Sequence, residues 1–494
     1  MAVGLLAAGT VLYTSVNLYR LAHFYPLDFD LAIFGQGVWL LSRGSIPFVT
    51  VRGMSLFGEH ASFVHLLVAP LYTLLGPLAH VRLLVLLQSA ALAWAGFVLL
   101  EHARTELGSG GARLVLVTYL AYPAVQNTWL EYYEPINLAV PALLAAALAI
   151  RAGHARRALV FSLLALSTIE TVAATVFALG AYAAFHGRRR LGAVLMTLCV
   201  AYVTLLMSVV FPWLSEGGYV YGNRLYGDFA RSLPEAIVFL ARPDHLLERL
   251  ATAENGRYLL GLLAPVAFLP LGAPGTLALA VQLPLNMVSS WPYAHEILYH
   301  YAAPIIPFVF LGVVRALARF PARSVGRRLC SVALGVGLLA GQVFYGSSWV
   351  VPRRGEKPWR GWAADRVERS EVEGLLARLP AEASVAVHYR FLPHLCERRR
   401  LFMLPDTGPA GTWPDALVFD EPVAAADTRD REVLERARKE AGFTEVARTR
   451  RGTVLLMRGT ALVEPPAKTP RSSPPVGWPK APTTGVRYHS VLSE

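Results

Sequence analysis

The sequence predicts an α-helical polytopic membrane protein of about eleven transmembrane helices, followed by a small external α/β domain. Three observations lead there. Of 494 residues, 54% are hydrophobic and only 16% charged, with a mean hydropathy of +0.43; soluble domains carry about 25% charged residues. Apolar runs of near-spanning length recur through the first 350 residues, and a helix needs about 20 such residues to cross a bilayer. The charge density rises only after those runs end. So little charge cannot coat several soluble domains, which excludes an ordinary cytosolic enzyme, and so apolar a chain is not a disordered one.

The candidate spans are 1–22, 81–100, 113–127, 135–151, 156–169, 170–186, 190–212, 258–272, 275–291, 300–319 and 328–350. The third, fifth and eighth are short and read as tilted or broken helices. Residues 1–22 lack a basic leader and a clear small-x-small site, so they read as retained rather than as a signal peptide. Residues 61–76 are apolar but short and interrupted by Pro70, which costs a backbone hydrogen bond; they read as an interfacial or re-entrant helix. With the N-terminus cytoplasmic, the inner loops 101–113, 151–157, 187–190, 272–275 and 315–328 hold thirteen Arg. The outer loops 125–134, 168–172 and 292–299 hold no Arg or Lys. Letting 61–76 cross would invert every later loop against the positive-inside rule. The net charge of +12 therefore reports orientation, and no recognition module for nucleic acid accompanies it.

This arrangement implies a membrane domain over 1–350 with a long first outer loop at 23–80, a linker at 351–364, an external α/β domain at 365–460 and a Pro-rich disordered tail at 461–494. In the third of these, helical and strand patterns alternate, with no Gly-rich phosphate fingerprint. Cys199, Cys330 and Cys396 have no metal-ligand spacing and read as small packing residues.

Once orientation is set, the polar residues gather on the outer side. The first outer loop holds Asp28, Asp30, Glu59, His60 and His65. The second holds Glu131 and Glu134 among Trp129, Tyr132 and Tyr133, Glu170 lies at the turn between the fifth and sixth spans, and His295, Glu296 and His300 precede the tenth. Ionisable groups at membrane depth are costly, which makes them functional candidates. Each also has a plain structural reading: Asp30 and Glu170 as helix-terminus carboxylates, the aromatics as interface anchors, His300 as a cap. Their convergence from four loops on one face predicts a polar cavity at the outer leaflet. Leu31, Phe34, Val38 and Leu41 give the helix that starts at Asp30 one apolar stripe.

FDLAIFGQGVWLLSRG (29–44), GEHASFVHLLVAPLY (58–72), LEYYEP (130–135), the Glu170 turn, ILYHYAAPIIPF (297–308), ASVAVHYRFLPHLCERR (383–399) and DALVFD (415–420) together resemble a bacterial membrane family. It is known as domain of unknown function 2079, and it is related to the GT-C superfamily of membrane glycosyltransferases. The resemblance covers about residues 20–460 and implies a GT-C-like fold with a sugar donor on polyprenyl phosphate. The essential carboxylate of the first outer loop maps to Asp30, with Glu59 and His60 as its catalytic companions. Gln36, Arg52, Tyr133, Glu134, Glu170 and His300 are the candidate substrate-binding residues, and Arg224 is a second cation for a donor phosphate. A divalent cation is compatible with Glu59 and His60, its identity open. Where the family commonly has a His this chain has Tyr133, and Ile169 stands where a Lys often precedes the Glu. The competing readings are a transporter or flippase of a lipid-linked or small hydrophilic substrate, and a non-catalytic membrane protein. Against transport, the carboxylates lie at the outer face rather than the midplane, and no inverted repeat is evident.

Overall fold

The computed structural model describes residues 1–25, 29–215, 218–346, 365–409 and 412–459. Asp28 and the expected linker and tail lie outside them. Six helices among the described residues are long and apolar enough to span a membrane: Ala2–Ala22, Arg82–Ala121, Pro135–Ala152, Arg189–Leu214, His300–Ala318 and Val325–Tyr345. The protein is an α-helical membrane protein with a C-terminal α/β sheet region, as its composition and patterning predict.

Arg82–Ala121 is two antiparallel helices. Gly108 adopts φ 73° and ψ 176° within it, a left-handed value that only glycine takes at little cost. The Tyr119 hydroxyl then donates to the Leu92 carbonyl at 2.8 Å, which a straight helix would hold about 40 Å apart. The separate runs at 81–100 and 113–127 are thus a hairpin. A second hairpin joins Val172–Phe185 to Arg189–Leu205. Their backbones touch where Gly180 meets Gly192: a Cβ on Gly192 would lie 2.6 Å from the Gly180 carbonyl oxygen. Small residues at such crossings let helices approach without a hydrophobic driving force.

The eighth expected span, 258–272, is broken, as its short length suggests, and the ninth, 275–291, is corrected. Residues 258–291 are not two continuous helices but Ala253–Leu263, short 3-10 turns at Ala264–Val266 and Leu269–Gly272, and the short helices Pro274–Leu277 and Gln282–Val288. Pro265, Pro270 and Pro274 remove backbone donors, and Ala267 and Phe268 take positive φ, so helical hydrogen bonding cannot continue. The broken chain packs against Ile306–Ala318 and Val325–Tyr345.

The awkward run at 61–76 forms the helix His65–Ala79. Leu66, Leu67 and Leu74 are exposed while Val68 and Tyr72 are buried. At its N-terminal end the Val64 N–H donates to the Ser167 carbonyl, and just past its other end His80 meets Glu397. Both ends are therefore tied to the same end of the molecule.

The C-terminal sheet has five strands in the order Leu401–Met403, Val385–Val387, Ala416–Asp420, Thr453–Arg458, Phe443–Arg448, the first three parallel and the last two antiparallel. Phe443–Arg448 and Thr453–Arg458 are the arms of a hairpin that turns at Arg451 and Gly452. One face of the sheet joins the hydrophobic cluster built from the first loop, shared by Leu31, Phe34, Val81, Val385 and Phe391. The two parts of the chain thus share one core.

Candidate functional site

The helix Asp30–Ser42 places Asp30 in its first turn, where a carboxylate is favoured by the peptide dipoles. Two features clamp that helix to the C-terminal domain. Gly35 gives the Cys396 thiol room, because a Cβ there would lie 2.6 Å from its sulfur. The Gln36 amide nitrogen donates to Thr50 Oγ1 and to the Arg398 carbonyl, each at 2.9 Å. Thr50 completes the seam by accepting from the Leu401 N–H at 2.8 Å and donating to the Leu401 carbonyl at 2.7 Å. Thr50→Val keeps the shape but strands both backbone groups; it is expected to lower stability by about 1–3 kcal/mol, read as a lower melting temperature in detergent.

The loop that follows carries a first polar cluster. Arg52 Nε donates to Glu59 Oε1 at 2.6 Å, and the Tyr221 hydroxyl donates to the same oxygen at 2.6 Å. His60 Nδ1 lies 2.9 Å from Glu170 Oε1, whose other oxygen accepts from the Ala61 N–H at 3.0 Å. Tyr219 also donates to Glu170, at 2.8 Å. The Tyr221 ring stacks on His60 with centroids 4.3 Å apart and planes 9° from parallel.

Burial pushes the His60 pKa down, but Glu170, and then Glu59 and Asp30, more than offset it, so it lies above the ordinary 6.5. A raised folded value stabilises fully below the unfolded pKa and loses that contribution as pH rises through the folded one. The stability gap between wild type and His60→Gln is therefore expected to be wider below pH 6.5 than at about pH 9. Thermal unfolding at the two pH values checks this.

A second cluster gathers Glu131, Glu134 and His300. His300 Nδ1 stands 3.5 Å from Glu131 and 3.8 Å from Glu134. Beside it, Trp291 Nε1 donates to the Tyr301 hydroxyl at 3.0 Å, and the Arg224 guanidinium lies 4.5 Å from the Trp291 ring and 5.0 Å from that of Tyr221. Arg224 thus bridges the two clusters. Asp30, in the first turn of its helix, also acts electrostatically on both: on His60 and Tyr221 in the first cluster and on Glu131 and Tyr301 in the second.

The fold therefore brings Asp30, Arg52, Glu59, His60, Glu134, Glu170, Arg224 and His300 to one end of the molecule. Two further candidates, Gln36 and Tyr133, lie deeper in the packing. Gln36 is fully buried with its amide nitrogen committed to the domain seam. Tyr133 has no exposed surface; its hydroxyl pairs with His65 Nε2 at 3.1 Å and its ring packs edge-on against Phe34. Gln36 ties the Asp30 helix to the C-terminal domain, and Tyr133 packs against Phe34 of the same helix. Among the described residues no three His, Cys, Asp or Glu are grouped to hold a metal ion; Glu59 and His60 face Arg52 and Glu170 instead, so this donor set does not fit a divalent cation.

Tyr219 and Tyr221 did not stand out in the sequence. They sit in a turn, closed by the Gly222 N–H on the Tyr219 carbonyl at 3.2 Å, that leads into the helix Gly222–Tyr226.

A family model described as "Predicted membrane protein (DUF2079)" matches residues 20–455. Among curated protein sequences none matches this chain. Solved structures with a similar fold include ArnT from Cupriavidus metallidurans bound to undecaprenyl phosphate, at a TM-score of 0.51 and 16% identity over 92% of this chain and 99% of that one. The apo ArnT structure gives 0.51 and 15% over the same shares.

Proposed function

This chain belongs to the DUF2079 family of predicted membrane proteins, and from that premise we propose that it is a glycosyltransferase using a polyprenyl-phosphate-linked sugar at the outer face of a bacterial cytoplasmic membrane. The observation that carries this reading is the pair of polar clusters, Arg52, Glu59, His60 and Glu170 in one and Glu131, Glu134 and His300 in the other, joined through Arg224 and both within the electrostatic reach of Asp30. A GT-C-like fold shared with a protein crystallised on undecaprenyl phosphate supports the choice of donor.

In this reading Asp30 accepts the proton of an acceptor hydroxyl. The hydroxyl oxygen forms a bond to the anomeric carbon as that carbon's bond to phosphate oxygen breaks, and polyprenyl phosphate leaves with the bonding electrons. Arg52 and Arg224 supply positive charge for the leaving phosphate, joined by His60 when it is protonated. Glu131, Glu134 and His300 are hydrogen-bond partners for sugar hydroxyls. No step runs through a metal. The N-terminus is cytoplasmic, and the α/β domain lies outside, where it braces the Asp30 helix.

The test is binding and turnover of polyprenyl-phosphate sugars by the purified chain in lipid nanodiscs. Release or transfer of the sugar is the expected result. Tight binding with no chemistry under any acceptor, joined to movement of the lipid between leaflets, would favour the flippase reading. Absence of binding to every such lipid would remove the reading altogether.

A further inference from the structure

A helical hairpin on the site-bearing end, Leu233–Leu240 and Pro243–Leu250, carries apolar surface that the described chain leaves uncovered. Its inner side is closed by Phe229 against Phe239 at 5.0 Å, by His245 stacked on Phe239 at 4.1 Å, and by Arg249 over Phe229 at 4.3 Å. Its outer side is not closed: Ile237, Val238 and Leu247 are 61%, 71% and 66% exposed, with Leu233 beside them. Three aliphatic side chains this exposed on two adjoining short helices need a partner.

We propose that the partner is the lipid surface itself, with the hairpin lying in the outer interface of the bilayer and Ile237, Val238 and Leu247 reaching the acyl boundary. Exposed apolar side chains continue onto the neighbours of the hairpin: Gln282–Val288, which packs against its second helix, exposes Leu285, and Ala253–Leu263, next in the chain, exposes Leu260. The polar rim is nearly neutral, with three Arg against four acidic residues over 228–250. Apolar insertion rather than attraction to anionic headgroups therefore holds the hairpin, and its depth does not depend on the share of anionic lipid.

The hairpin is also tied to the site. The Ser290 N–H donates to the Leu225 carbonyl at 3.0 Å, next to Arg224, and Asn255 donates to the carbonyls of Arg249 and Met287, each at 2.9 Å. Immersion thus fixes the segment bearing Tyr221 and Arg224 at the membrane surface. The proposal depends on the chain being embedded in a bilayer and not on its transferring sugar.

Spin labels at Ile237→Cys, Val238→Cys, Leu247→Cys and, as a control, Glu248→Cys test it in full-length protein in nanodiscs with the native cysteines replaced. The ratio of oxygen to nickel-chelate accessibility is expected to be severalfold higher at 237, 238 and 247 than at 248, in neutral and in anionic lipid alike. Equal nickel accessibility at all four positions would overturn the proposal, as would shielding of 237 and 247 from both reagents, which would mean a protein partner. A photo-crosslinking amino acid at Ile237 in the native-cysteine chain gives an independent reading: lipid adducts support the assignment, and adducts to protein alone reject it.

Discussion

Asp30→Asn is expected to lower turnover of a polyprenyl-phosphate sugar by about 10²- to 10⁴-fold, the usual contribution of a positioned general base, while donor binding survives. The substitution keeps the shape and the first-turn position in Asp30–Ser42 but removes the proton acceptor. It also separates the two readings of this residue. A carboxylate that only complements a helix dipole is worth about 0.3–1 kcal/mol of stability and nothing in rate. Turnover measured beside thermal unfolding on the same preparations decides between them: unchanged turnover with a slightly lower melting temperature would reduce Asp30 to a cap.

Glu170→Ala is expected to cost about 3–5 kcal/mol of stability, the range for removing one member of a buried ion pair. Glu170 is buried and accepts from His60, the Ala61 N–H and Tyr219. Its loss strands a charged imidazole, a backbone donor and a hydroxyl together. Glu170→Gln retains an oxygen for the Ala61 N–H and loses only the charge, so it should be milder and should lower the His60 pKa. Unfolding of both variants, with His60 titrated by NMR, checks the pair; an alanine variant as stable as wild type would mean that water replaces the carboxylate at no cost.

The candidate site was partly legible because its chemistry is costly. Asp30, Glu59, His60, Glu134, Glu170 and His300 stand out as ionisable residues beside apolar runs, and such residues are rare enough at a membrane to be noticed one by one. Tyr133 stood out for the same reason and belongs to the packing, since an aromatic near a span end looks alike whether it meets a ligand or Phe34. The role of Gln36 in the domain seam was not legible because its partner is the Arg398 carbonyl, 362 residues away. Tyr219 and Tyr221 were overlooked because their partners, Glu170 and Glu59, come from distant loops.

By itself the sequence determined the class of protein, the hairpin of spans around Gly108, most of the strands of the C-terminal sheet and the family. These follow from local quantities: apolar run length, period-2 alternation and turn residues, each fixed within about 20 residues. Only the tertiary structure decided that 275–291 is divided into short helices, that the α/β domain grips the Asp30 helix through Thr50, Gln36 and Gly35, and that the outer polar residues form two clusters joined through Arg224. Those outcomes depend on which distant groups satisfy each buried donor, acceptor and charge. That choice is made by packing across hundreds of residues, and no local pattern records it.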